Sequence, residues 1–124
     1  MIGNGVIANV HCGWRGAVQR IVDRTLDAIG GATDAWLGPT IRVCCFEVGE
    51  EVAVQFPEEF VDRTSYAKPH VDIAAFVASR LRARGVARVH DSGLCTRCDG
   101  SIFHSYRRDG KGGGRNLALL AKYG

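Results

Sequence analysis

Apolar positions recur at helical spacing in two long segments of the chain. In residues 17–29 they form one stripe, and Gly30-Gly31 follows as a helix stop. In residues 71–84 a second stripe ends at Gly85, with Asp72 in the first turn, where an acidic side chain suits the helix dipole. This pattern predicts two amphipathic helices.

Shorter patterns predict strands and turns. A β-branched apolar run predicts a strand at 6–10, short apolar segments predict strands at 34–37 and 86–90, and a short helix is expected at 50–56. Residues 64–69 are polar and expected at the surface. The alternating segment 101–107 and the apolar run 116–123 flank a glycine-rich turn, which favours a β-hairpin.

Composition limits the class of protein. With 124 residues, 46% of them hydrophobic and 23% charged, the chain is expected to form one domain over 1–124. A net charge of +3 is too small to favour nucleic acid, and no apolar run is long enough to span a membrane. Five cysteines without a secretory leader favour a reduced, cytoplasmic setting. The first five residues enter the first strand without a cap of their own, as expected for an internal start.

The segment 10–16 (VHCGWRG) joins the first predicted strand to the first predicted helix. His11 is expected at the end of the strand, and Gly13 and Gly16 allow a sharp turn that leaves N–H groups uncovered at the helix start. Arg15 adds a positive charge that can hold an oxyanion through two parallel hydrogen bonds. Together they predict a reaction site in which His11 is a metal ligand or general base rather than a core histidine.

The cysteines leave several interpretations open. Cys95-x-x-Cys98 is followed by a predicted strand, whereas a thioredoxin-like pair starts a helix. A zinc knuckle needs four ligands, which Cys44, Cys45 and His104 would have to complete, and adjacent cysteines rarely bind one ion together. Ordinary buried thiols are therefore the prediction for Cys44, Cys45 and Cys98.

Arg107 and Arg108 lie at the end of the predicted strand 101–107. Consecutive strand residues point to opposite faces, so one arginine should face inward and require a carboxylate or a substrate phosphate. Both arginines and the neighbouring Ser105 are the predicted substrate-binding residues. The following segment 110–115 lacks the Gly-Lys-Ser/Thr of a P-loop, and its residues 111–114 are expected to form an exposed turn.

Three segments together are similar to one known family. They are 10–16 (VHCGWRG), then 37–39 (LGP) with 45–52 (CFEVGEEV), and finally 95–96 (CT) through 103–109 (FHSYRRD) to 114–115 (GR). In order and spacing they resemble the C-terminal half of the YfiH-like proteins, also called multicopper polyphenol oxidases or laccase-domain proteins. The resemblance implies an α+β fold, a mixed β-sheet packed with helices, here N-terminally truncated.

The resemblance also implies an activity. It predicts a metal-dependent purine nucleoside phosphorylase acting on adenosine, inosine and methylthioadenosine, with adenosine deaminase activity. Polyphenol oxidation is an older assignment within the family, and editing of peptidoglycan precursors is a third. The expected partners are a purine nucleoside and phosphate, with no nucleic acid and no membrane.

The family metal, zinc or alternatively copper, is held by two histidines and one cysteine. The histidine of its His-x-Gly-Trp-Arg-Gly motif corresponds to His11. The other two ligands belong to Gln-x-His-Gly and Ala-Asp-Cys motifs, which these 124 residues do not contain. Three ligands leave a fourth position for water or substrate. Arg15, the helix start and the inward arginine are the expected phosphate contacts.

Two rival hypotheses belong to other classes. The chain could be a catalytically inactive remnant that serves as a binding module, because two of three metal ligands are missing. It could instead be a thiol hydrolase in which Cys95 or Cys12 acts with a histidine. His11, Arg15 and Cys95 are thus the candidate catalytic residues. An unpaired sheet edge is also expected, and with it self-association.

Overall fold

A mixed four-stranded sheet organises one part of the molecule. In the computed structural model, which describes residues 1–124, its strands are β1 (Ile2–Gly3), β2 (Val6–Ile7), β3 (Asp34–Leu37) and β6 (Arg88–Asp91). They lie in the order β2-β1-β3-β6. β1 pairs antiparallel with β2 and β3, whereas β3 and β6 are parallel. A mixed sheet packed with helices confirms the α+β fold.

The residues group into two compact units. Unit 1 consists of Met1–Leu37, Ile73–Asp91 and Ala118–Gly124 and contains this sheet, and unit 2 consists of Gly38–Asp72 and Ser92–Leu117. The single domain over 1–124 stays a prediction. The longest helix has eleven residues, and no helix combines the length and apolar character of a membrane span.

The helices of unit 1 follow the two predicted stripes, with one interruption. α4 (Ile73–Ala83) confirms the helix predicted at 71–84. The helix predicted at 17–29 is instead two, α1 (Trp14–Val18) and α2 (Ile21–Ile29), because Arg20 between them has a left-handed backbone with φ of 62°. Both stripes are buried, with Val22 and Leu26 on α2 and Val77 and Leu81 on α4.

An ion-pair network joins α2 to α4. The carboxylate of Asp23 accepts hydrogen bonds from Arg80 at 2.5 Å and from Arg84 at 3.3 Å, and its side chain is only 10% exposed. Hydrogen bonding from Arg80, and secondarily from Arg84, lowers the pKa of Asp23 although burial acts in the opposite direction. The charged form of Asp23 is therefore part of the helix packing.

Unit 2 consists of short elements around a small core. They are α3 (Glu50–Ala53), β4 (Val61–Asp62), β5 (His70–Val71), α5 (Tyr106–Asp109) and 3-10 turns at Glu58–Phe60 and Gly110–Gly112. β4 and β5 pair antiparallel, with Val61 opposite Val71. Phe46, Val48, Phe56 and Val71 are buried apolar residues of this unit. α3 shortens the helix expected at 50–56, and residues 64–68 are exposed as expected.

The predicted hairpin of 101–107 with 116–123 is wrong. The backbone N–H of Asp109 donates to the Ser105 carbonyl at 2.8 Å, and the Asp109 carboxylate accepts from the Ser105 N–H at 3.2 Å, which closes a helical turn. The side-chain amide of Asn116 bonds both backbone groups of His104, at 2.9 and 2.8 Å, where a partner strand would pair. Residues 116–123 form neither strand nor helix, and Leu117 is 97% exposed.

Candidate functional site

His11 lies in an extended connection of unit 1, not at the end of a strand. β2 already ends at Ile7, and the His11 side chain is exposed before α1 begins. Gly13 precedes α1 with φ of −78° and ψ of 176°, so the entry into the helix uses ordinary extended backbone. His11 belongs to no group of three or more ligating side chains in the structure. The residues present therefore do not form the three-ligand metal site that the family resemblance implies.

Arg15 lies in the first turn of α1 and is exposed. Its guanidinium carbon is 4.7 Å from the centroid of the Trp14 ring, a cation–π contact that holds the side chain over the indole. α1 has only five residues, so its dipole is small and the guanidinium is the main attraction for an anion. The half-buried Trp14 ring therefore positions the Arg15 side chain.

Arg107 and Arg108 project from α5 in unit 2 and differ in their partners. Arg108 pairs with the Asp109 carboxylate at 2.8 Å and also donates to the Phe103 carbonyl at 2.8 Å. Arg107 donates to the backbone carbonyl of Glu47 at 2.6 Å, and its guanidinium carbon is 5.2 Å from the centroid of the Phe46 ring. The prediction that Arg107 and Arg108 lie at the end of a strand and point to opposite faces is wrong, because both residues lie on a helical turn. The Asp109 carboxylate already neutralises Arg108, whereas Arg107 bonds only a backbone carbonyl. Arg107 is therefore the stronger candidate to bind an anion.

A cleft of about 170 Å³ collects the polar groups around Arg107. It is lined by Cys45, Glu47, His70, Arg97 and Arg107. His70 is buried, its Nδ1 bonds the Val43 carbonyl, and its ring stacks on Tyr66 with centroids 3.7 Å apart. Because Nδ1 donates to a carbonyl, the neutral ring presents Nε2 as an acceptor. Sequence reasoning left His70 unassigned, since nothing near it in the chain indicates a partner.

A second, larger cleft of about 440 Å³ in unit 2 lies along β4. Its one cationic lining residue, Arg63, is bound to Glu58 at 2.9 Å and to Glu50 at 2.6 Å. The Asp62 carboxylate accepts the backbone N–H groups of Thr64 and Ser65, which together with the Ser65 side chain lower its pKa to about 2. This paired, acidic lining does not favour a phosphate.

Ser105 is buried and has a structural role. It lies at the N-terminus of α5, and its backbone groups hold the first turn that carries both arginines. Its role in binding substrate stays a prediction.

Four of the five cysteines meet in unit 2. The sulfurs of Cys44, Cys45, Cys95 and Cys98 all lie within 4.8 Å of one another, and Cys12 is the remaining free thiol. Cys44 and Cys98 are exposed, Cys45 is half-buried and only Cys95 is buried. The prediction of buried, ordinary thiols was therefore wrong for Cys44 and Cys98. His104 is not part of the group.

The environment separates the acidities of these thiols. Burial raises the pKa of Cys95, but backbone N–H groups of Cys98, Arg42 and Arg97 donate to its sulfur and bring the pKa down to about 6. Burial, reinforced by the neighbouring thiols, raises the pKa of Cys44 to about 12. Backbone N–H groups thus stabilise a thiolate at Cys95. The metal-binding side chains grouped around its sulfur are other thiols, and no histidine is among them.

Comparison with known proteins identifies the family. Residues 3–122 match the family described as multi-copper polyphenol oxidoreductase laccase. A purine nucleoside phosphorylase of Pseudomonas aeruginosa is 37% identical in an alignment that covers 86% of this chain and 48% of that protein. An adenosine deaminase from an unknown prokaryotic organism is 36% identical in an alignment that covers 91% of this chain and 49% of that protein.

Solved structures give the same result. A crystal structure of a Neisseria meningitidis protein is 32% identical, with a TM-score of 0.72 over 81% of this chain and 45% of that chain. A second, the YfiH protein of Bacillus licheniformis, is 26% identical, with a TM-score of 0.68 over 82% of this chain. The chain spans about half the length of the curated relatives it matches. It belongs to the multi-copper polyphenol oxidoreductase laccase family, whose relatives include enzymes named purine nucleoside phosphorylase and adenosine deaminase.

Proposed function

We propose that this chain takes part in the phosphorolysis of purine nucleosides, adenosine, inosine and methylthioadenosine, with adenosine deamination as a second reaction. The similarity to enzymes of both names supports the reaction class. The structural observation that carries the proposal is the guanidinium of Arg107, which lines the cleft with Arg97 and His70 and has no carboxylate partner. Such a group can bind two oxygens of a phosphate dianion.

The reaction assigns distinct tasks to these side chains. A phosphate oxygen attacks C1′ of the ribose, the bond from C1′ to the purine nitrogen breaks with its electron pair going to the nitrogen, and the leaving purine takes up a proton from water. Arg107 and Arg97 would hold the phosphate and offset its charge as it approaches the sugar. His70, with Nε2 as its acceptor nitrogen, would orient the phosphate or a ribose hydroxyl by accepting a hydrogen bond.

Two residues of unit 1, His11 and Arg15, are also assigned roles in this proposal. The exposed imidazole of His11 is a candidate general base and Arg15 a candidate anion ligand. Zinc at this position would lower the pKa of a bound water when three protein ligands hold it. Since His11 has no such companions among these residues, no step of the proposal runs through a metal.

Turnover of adenosine in phosphate buffer tests the proposal. The chain is assayed alone and together with the N-terminal half of the Pseudomonas aeruginosa relative, and adenine, inosine and ribose 1-phosphate are quantified by chromatography. We expect phosphate-dependent release of adenine, reduced about 100-fold by Arg107→Met because a charge-assisted, bidentate contact is lost. Arg115→Met is the matched control, since Arg115 donates only to carbonyls of nearby glycines.

Two results would overturn the proposal. One is no product from any of the three nucleosides in either mixture, while the intact relative is active under the same conditions. The other is equal activity of Arg107→Met and Arg115→Met.

Oxidation of polyphenols is the second candidate, favoured by the description of the matching family. Copper-dependent oxygen consumption with a phenolic substrate, in place of adenine release, would support it.

A further inference from the structure

We propose that Cys44, Cys45, Cys95 and Cys98 form a closed zinc site that crosslinks two loops of unit 2. The inference goes beyond the proposed function and does not depend on it, because these four residues lie outside the metal motif of His11. Soft thiolate ligands in a tetrahedral set of four are characteristic of zinc, and a closed set leaves no position for a catalytic water. The site is therefore structural.

The distances between the sulfurs match the geometry of the ion. Four Zn–S bonds of about 2.3 Å in a tetrahedron place neighbouring sulfurs about 3.8 Å apart. The Sγ of Cys44 lies 3.7 Å from that of Cys45, 3.9 Å from that of Cys95 and 3.7 Å from that of Cys98. Cys45 and Cys98 are 3.3 Å apart, and every pair lies within 4.8 Å. Sulfurs at these separations need little movement to reach the corners of such a tetrahedron and enclose an ion.

Neighbouring cysteines reach one ion because the backbone turns beneath them. In a strand, Cys44 and Cys45 would point to opposite faces. Here the N–H groups of Cys45 and Phe46 both donate to the Arg42 carbonyl, at 2.9 and 2.8 Å, which bends the chain into a tight turn. The turn removes the objection that sequence reasoning raised against two adjacent ligands.

The second loop is held in the form that a metal-binding turn requires. The Asp99 N–H donates to the Cys95 carbonyl at 2.9 Å, and the Asp99 carboxylate accepts from the Cys95 N–H at 3.2 Å. N–H groups also converge on the Cys95 sulfur, from Cys98, Arg42 and Arg97. Donors of this kind offset the negative charge that four thiolates bring to a divalent ion.

The two loops are already paired beside the cluster. Thr40 and Cys95 form a parallel β-bridge, in which Thr96 donates to the Thr40 carbonyl at 3.0 Å and Thr40 donates to the Leu94 carbonyl at 3.2 Å. The cysteines of the two loops are separated by 50 to 54 residues along the chain. A crosslink across so long a separation stabilises a unit whose strands and helices are short.

Metal content of the whole chain tests the proposal. The protein is purified under reducing conditions without added chelator, and its bound metals are counted by mass spectrometry of the elements. We expect one zinc per chain, lost in Cys95→Ser and in Cys44→Ser. Cys12→Ser is the matched control, since Cys12 is the one cysteine outside the cluster, and His11→Ala excludes the family motif; both should retain one zinc.

A second measurement uses the wild-type chain, so it does not depend on the folding of a variant. Chelator-treated protein is titrated with zinc alone while its thiols react with a colorimetric disulfide reagent. We expect one equivalent of zinc to protect four of the five thiols and to slow their modification at least tenfold. Cobalt added in place of zinc should give the intense visible absorption of a tetrahedral thiolate complex.

Three results would overturn the inference. The first is unchanged reactivity of all five thiols with zinc present. The second is bound iron instead of zinc. The third is a disulfide between Cys45 and Cys98 in the reduced preparation, detected as loss of two hydrogen masses without metal.

Discussion

The segment around His11 and the cysteine cluster differ in two properties, the strength of the sequence motif and the number of metal ligands brought together. The first carries the strongest family motif, yet its imidazole is exposed and has no companion ligands. The second consists of residues that the sequence pattern assigns to ordinary thiols, yet its four sulfurs lie within 4.8 Å of one another, close enough to enclose one ion. A motif thus identifies a family, whereas a ligand set is identified only when distant segments are placed in space.

The largest expected effect is on the cluster itself. We predict that Cys95→Ser lowers the free energy of unfolding by about 4 kcal/mol, the stabilisation supplied by a ligand present at a thousand times its Kd. Thermal unfolding followed by circular dichroism, with and without a strong chelator, measures it. The chelator should destabilise the wild-type chain and leave Cys95→Ser unchanged. Equal chelator sensitivity of the two proteins would show that the stabilising metal is elsewhere.

The second prediction separates chemistry from metal content. His11→Ala should lower adenosine turnover about 100-fold, the usual scale for loss of a general base, while zinc per chain stays constant. Steady-state kinetics and elemental analysis on the same samples provide both values. Loss of zinc together with activity would contradict the assignment of the metal to the cysteines.

The third prediction concerns the ion-pair network of Asp23 on α2, the helix that follows the His11 segment and α1. Asp23→Asn should cost about 1–3 kcal/mol because Arg80 and Arg84 lose a charged acceptor. Hydrogen bonding from Arg80 lowers the Asp23 pKa below its ordinary 3.8, so the unfolded chain binds more protons below that pH. The stability that the Asp23 ion pairs supply is present above pH 4 and lost as the pH falls. The free energy of unfolding, measured by urea titration at several pH values, should therefore decrease less on acidification in Asp23→Asn than in the wild type.

The smallest expected effect lies at the break between α1 and α2. Arg20 has φ of 62°, a conformation that costs a side chain about 1 kcal/mol and glycine nothing. We predict that Arg20→Gly stabilises the chain by a few tenths of a kcal/mol after the entropic cost of glycine is subtracted. Gly30→Ala, at φ of 72°, is the matched reverse and should be destabilising in the same denaturant series. Destabilisation of both would show that the Arg20 side chain matters more than its backbone.

Local pattern predicted the elements that depend on local signals. β3 has the bounds predicted for it, and α4 has the apolar spacing and glycine stop of the prediction and lies within two residues of its predicted bounds. Asp72 precedes α4 instead of lying in its first turn, which contains no acidic residue. The break at Arg20 has no signal, since nothing in the sequence favours a left-handed arginine. The hairpin failed because Asp109 closes a helical turn and Asn116 occupies the backbone groups that a partner strand would use.

The candidate site shows the same limit. The motif at 10–16 and the pair Arg107-Arg108 were found from sequence, and so was the family. His70, which comes beside Arg107 only through the pairing of β4 with β5 and the fold around it, was not. The cysteines were noticed but assigned separately, because spacing within each pair says nothing about a partner more than 50 residues away.

X-ray absorption at the zinc edge distinguishes a four-cysteine site from a site at His11. On the chain isolated with its native metal, we expect four sulfur neighbours at about 2.3 Å and no nitrogen or oxygen in the first coordination sphere. The same spectrum should be obtained from His11→Ala. A shell containing imidazole nitrogen at about 2.0–2.1 Å, altered in His11→Ala, would exclude the four-cysteine site and assign the metal to the motif at 10–16.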